Sequence, residues 1–60
     1  MKGIVFTEFL EMVEASYGLQ TVDTIIENAS LPSEGAYTAV GTYDFNEMVQ
    51  LLVALSEQTI

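Results

Sequence analysis

Sixty residues with nine acids, one cation and a net charge of −8 make at most one small domain, and one that repels nucleic-acid phosphates and anionic lipid heads. Cysteine and histidine are absent, which removes disulfides, thiolate and imidazole metal sites and any Ser–His nucleophile. Half of the residues are apolar and the mean hydropathy is +0.36, too apolar for a disordered chain and a lot of apolar surface for so short a chain to hide.

From Lys2 to Tyr17 the pattern predicts an amphipathic helix. Val5, Phe9, Met12 and Val13 repeat at i, i+4, i+7, i+8 and form its apolar face, widened by Phe6, Leu10 and Tyr17. Thr7, Glu8, Glu11 and Glu14 take the opposite side, and Ile4 points into that acidic arc. Gly18 follows as a left-handed stop. Thr21 is placed to cap a second helix, with Asp23 in its first turn and Val22, Ile25, Ile26 and Ala29 as a narrow core stripe. Ser30 to Gly35 ends that helix, with Pro32 disfavouring helix at Leu31.

Ala36 to Tyr43 is rich in β-branched and aromatic residues and reads as a short extended segment with no evident partner strand, draped over the helices. Asp44-Phe45-Asn46-Glu47 reads as a capping box, with Tyr43 positioned to staple onto Met48. The third helix is expected to run to the end of the chain. Its Phe45, Met48, Val49, Leu51, Leu52, Val53, Leu55 and Ile60 span an arc of roughly 200°, leaving Asn46, Glu47, Gln50, Ala54 and Glu57 on the remainder. The first two helices are expected to cover the middle and the Val49, Val53 and Ile60 flank. The Met48, Leu51 and Leu55 flank is then expected to face water and to close by homo-oligomerisation, with Leu51 and Leu55 buried between chains.

Chemistry is sparse. Glu8, Glu11 and Glu14 share a helical face, but neither a histidine nor a cleft accompanies them, so they read as a solvated surface, as do Asp23 and Glu27. The glycines form no phosphate-cradling pattern, and Asn28-Ala29-Ser30 matches a glycosylation acceptor without an export signal. Acids interrupt the only apolar run near the start, and no stretch reaches the roughly 20 apolar residues of a membrane span. These points predict a cytoplasmic, non-enzymatic protein. The last residues contain no glycine or proline stop, which reads as a fragment.

Four stretches carry a family resemblance. Met1-Lys2-Gly3-Ile4-Val5-Phe6, then Tyr17-Gly18, then Gly35-Ala36-Tyr37-Thr38, then Gly41-Thr42-Tyr43-Asp44 resemble, in this order and at these spacings, the start of a bacterial haem nitric-oxide/oxygen-binding (H-NOX) domain. The resemblance covers essentially the whole chain, but only the front part of the family's longer domain. It implies a mainly α fold in which residues 1–60 form a three-helix distal-lobe subdomain, with a short extended segment between the second and third helices.

The resemblance also implies that Val5 and Phe9 line the gas-binding wall of the haem pocket in the intact domain. A wall without a hydrogen-bond donor suits nitric oxide, which needs little help on iron, better than oxygen, which needs a donor. In oxygen-binding members that donor sits on a later helix, outside this chain. Haem is implied for the intact domain and not for this chain alone. The proximal histidine and the Tyr-x-Ser-x-Arg motif that grips the propionates are both missing, and Lys2 is the only possible propionate partner. The implied partners are the remaining part of the haem domain and a histidine kinase or cyclic-nucleotide enzyme. Two other readings stand beside this one: a self-contained helical interaction module in which Val5 and Phe9 are ordinary core, and a carboxylate site on the first helix.

Overall fold

A computed structural model describes residues 1–29 and 31–58. Ser30, the first residue of the stretch expected to end the second helix, and Ile60 on the third lie outside the described residues; the second helix ends at Asn28, before that stretch. Three helices follow in order, α1 (Gly3–Tyr17), α2 (Leu19–Asn28) and α3 (Phe45–Gln58), with an irregular segment between the last two. The mainly α, three-helix fold expected from the sequence is the one observed.

A single residue, Gly18, joins α1 to α2. Its N–H closes α1 on the Glu14 carbonyl at 2.9 Å. Its φ of 98° and ψ of 162° lie in a region that only glycine occupies without strain. The stop falls at the expected residue, but the extended ψ sends the chain directly into α2 and not through a left-handed turn. Thr21 is therefore not the cap. It sits inside α2, and its hydroxyl donates to the Tyr17 carbonyl at 3.3 Å. Because α2 starts at Leu19, its first turn contains no acid. Val22, Ile25 and Ala29 are buried and Ile26 packs against them, so the expected core stripe is present.

The extended segment does have a partner, which is the start of the chain. Lys2 and Thr42 form an isolated antiparallel bridge. The Gly3 N–H donates to the Gly41 carbonyl at 2.7 Å, and the Tyr43 N–H donates to the Met1 carbonyl at 2.8 Å. The Met1 amino group returns a bond to the Tyr43 carbonyl at 2.8 Å.

Helix α2 packs on both α1 and α3, whereas α1 and α3 scarcely touch. The result is a slab of 30 × 21 × 14 Å. With α1 and α3 both packed on α2 and scarcely on each other, part of each outer helix is left without cover.

On α3 the covered half is the opposite of the expected one. Leu51 is fully buried, Met48 and Ala54 are buried, and Leu55 packs against the same core. Leu51 and Leu55 therefore belong to the interior of one chain and are not an interface between copies. Phe45, Leu52 and Val53 are exposed instead, at 62%, 49% and 51%. The physical reason lies on the side expected to be polar. Ala54 is small enough to admit a close neighbour, and Glu47 finds partners in the Ser33 and Tyr37 loop. An apolar arc of about 200° does not specify which of its halves meets the rest of the molecule. Among the described residues no helix is long and apolar enough to cross a membrane.

Candidate functional site

Two fully buried residues set the rotation of α1, Phe6 and Val13. Phe6 stacks on Tyr37 with ring centroids 4.4 Å apart, and Tyr43 meets its edge at 5.6 Å. Tyr37 and Tyr43 touch edge-on at 4.8 Å, which closes a three-ring cluster. The start of α1 is held against this cluster by Gly3, where any Cβ would run into the Thr38 carbonyl and the Tyr43 ring. With Phe6 and Val13 inward, the expected apolar face is rotated. Val5, Met12 and Tyr17 are exposed at 43%, 49% and 52%, not buried. Phe9 lies at the boundary, half-buried against the core. Val5 and Phe9 are four residues apart, so their directions differ by only about 40°. Ile4 is exposed, as its direction requires.

A second constellation was not foreseen from the sequence. Glu47, in the first turn of α3, is only 5% exposed. Its Oε1 accepts from the Tyr37 hydroxyl at 3.0 Å and from the Ser33 N–H at 3.3 Å. Its Oε2 accepts from the Ser33 hydroxyl at 3.1 Å. Burial, then the hydrogen bond and charge of Glu47, and last Tyr43, push the Tyr37 hydroxyl well above the usual tyrosine range. It therefore holds its proton and acts as a donor at neutral pH. Among the described residues no buried side-chain polar atom lacks a partner, so this cluster is a closed strut and offers no reactive group. The Asp44 half of the expected capping box is present, its Oδ1 accepting from the Asn46 N–H at 2.9 Å. The Glu47 carboxylate instead serves Ser33 and Tyr37. A signal for this was present, because Glu47 precedes Leu51 by four residues and Ala54 by seven, and so shares their face.

Elsewhere the surface carries little chemistry. Glu8, Glu11 and Glu14 are exposed, and among the described residues no group of three or more acidic, histidine or cysteine side chains is arranged to hold a metal ion. A cleft of about 180 Å³ opens beside the start of α3, lined by Pro32, Asp44, Asn46, Glu47 and Gln50. It includes neither Val5 nor Phe9, and its Glu47 carboxylate is already engaged by Ser33 and Tyr37.

A family model described as Haem-NO-binding matches residues 2–60. The chain is similar to the crystal structure of the Fe(II) unliganded H-NOX protein from K. algicida, with a TM-score of 0.96 and 59% sequence identity over 98% of this chain. A mutant of that protein, also Fe(II) and unliganded, gives the same values. The match takes in only 32% of the K. algicida chain, so the present sequence spans about a third of that protein's length. No curated protein matches. A match that begins at Lys2 and extends to the last residue, together with a near-superposable relative of this identity, establishes that the chain belongs to the haem-NO-binding (H-NOX) family.

Proposed function

We propose that residues 1–60 form the distal helical cover of the haem pocket in a nitric-oxide sensor domain, and that the role is signalling, not catalysis. The observation that carries this reading is the uncovered apolar side of α1. Val5 and Met12 remain exposed on a helix whose Phe6 and Val13 are fully committed to the core, and Phe9 stands at the boundary between the two sides. The residues fit one wall of a haem pocket, since Val5 and Phe9 are apolar and carry no N–H or O–H. The chain has no histidine, so the proximal histidine that the family resemblance implies would come from another part of the domain. When bound, haem supplies the iron that the gas ligates. Val5 and Phe9 keep water from one side of that site and offer no hydrogen bond, which favours nitric oxide over ligands that need a donor. The signal passes to the rest of the haem domain, and from there to a histidine kinase or cyclic-nucleotide enzyme in the cytoplasm.

The test is a chimera with this chain in place of the matching segment of the K. algicida H-NOX protein. Phe9→Ala and Val5→Ala open space beside the iron and speed the entry or exit of nitric oxide, measured by flash photolysis. Unchanged gas kinetics in variants that fold would make both residues plain scaffold.

A further inference from the structure

Helix α3 carries two apolar stripes. The inner one is covered within this chain, with Met48 and Leu51 buried and Leu55 partly buried against the same core. The outer one consists of Phe45, Val49, Leu52 and Val53, at i, i+4, i+7 and i+8, the spacing of a full core-facing helix side. Phe45, Leu52 and Val53 are each about half exposed or more, and Val49 is intermediate. None of the nine acids of the chain falls on this stripe. A continuous uncharged helix side of this length is the signature of a buried contact.

We infer that the outer stripe of α3 is the seat of the larger part of the haem-NO-binding domain, the part this chain does not contain. The inference rests on the reading of the chain as one portion of such a domain. Two observations select this occupant. The K. algicida protein holds these three helices in the same arrangement, at a TM-score of 0.96, while more than two-thirds of its chain lies outside the match. The stripe is free of charge in a chain of net charge −8, so it complements an apolar surface and not a basic partner. A second copy of this chain would bring two such charges together, which opposes association except where salt screens it.

The chain has no cysteine, so single thiols report directly on cover. Leu52→Cys, Val53→Cys and the acidic-face control Glu11→Cys are each placed in the 60-residue chain and in the K. algicida chimera. They are reacted with a water-soluble maleimide, with the parent chimera's background subtracted. The inference expects thiols at positions 52 and 53 to react roughly tenfold or more slowly in the chimera than in the 60-residue chain. The position 11 thiol keeps its rate. Equal rates in chimera and chain at 52 and 53 overturn the inference. So does protection already present in the 60-residue chain and lost on dilution, which would assign the stripe to a second copy. Val53→Cys, a small change at a half-exposed position, guards against a folding defect in Leu52→Cys. The readout needs no haem. Protection at 52 and 53 in a chimera whose gas kinetics ignore Val5 and Phe9 would leave this inference standing and remove only the haem-wall reading.

Discussion

The Tyr37 hydroxyl donates to Glu47 Oε1 at 3.0 Å, and the ring of the same Tyr37 stacks on Phe6 at 4.4 Å. One residue of the irregular segment thus ties the start of α1 to the start of α3, two helices that scarcely touch each other. The segment is a structural tie and not a slack connection. Removing its anchor should loosen both helices. Glu47→Ala deletes the acceptor for Ser33 and Tyr37 and leaves their donors beside a partly buried void. The expected cost is about 2–4 kcal/mol, against about 1 kcal/mol for Tyr37→Phe, which loses one bond and keeps the ring stack. Urea denaturation followed by circular dichroism measures both. Equal, small losses would show that the carboxylate is not a strut.

The same pair predicts an alkaline limit. Tyr37 has a raised folded-state pKa, so the folded protein keeps this proton after the unfolded chain has begun to lose its own. Above about pH 10 the unfolded state therefore binds fewer protons than the folded one, and stability falls with rising pH. The contribution is complete below the unfolded value of about 10 and is lost on passing through the higher folded value. Tyr37→Phe should flatten this slope, and denaturation midpoints between pH 8 and 11 give the comparison.

Gly18 is strained for any L-residue but has open space around its Cβ position. Gly18→Ala is expected to cost about 1–3 kcal/mol through backbone conformation alone. A chain this short is accessible to chemical synthesis, and D-alanine at the same position, whose preferred φ is positive, should be neutral or slightly stabilising. Equal damage from both alanines would mean that a steric clash, and not the backbone angle, requires glycine there.

Adjacent leucines on α3 should behave in opposite ways. Leu51 is fully buried, so Leu51→Ala is expected to cost about 2–5 kcal/mol. Leu52 is half exposed, and Leu52→Ala should cost about 0.5 kcal/mol or less in the 60-residue chain. Thermal melts separate the two, and a reversed order would restore the face first expected from the sequence.

Haem binding supplies the last prediction. With neither histidine nor arginine, the 60-residue chain should form no five-coordinate ferrous complex responsive to nitric oxide. Haemin titration, reduction and a Soret spectrum with and without the gas decide this, and a stoichiometric, ligand-shifted band would overturn it.

The sequence by itself determined the three helices, the stop at Gly18, the Val22, Ile25 and Ala29 stripe and the family. Each of these depends on contacts within a few residues, or on an ordered set of short motifs. Only the tertiary structure decided which half of α3 is buried, because Leu51 and Leu52 are equally apolar and the choice rests on what packs beside Ala54. It likewise decided the rotation of α1, where Phe6 wins the interior through rings supplied by Tyr37 and Tyr43, leaving Val5 and Met12 outside. The partners of the 36–43 segment were illegible for the same reason. Met1 and Tyr43 are 42 residues apart, and no local period signals a backbone pairing across that separation. Glu47 completes the case. A charged residue in a first helical turn reads as a solvent-facing cap until a distant loop brings a serine and a tyrosine to it, and those hydrogen bonds then offset the cost of burying its charge.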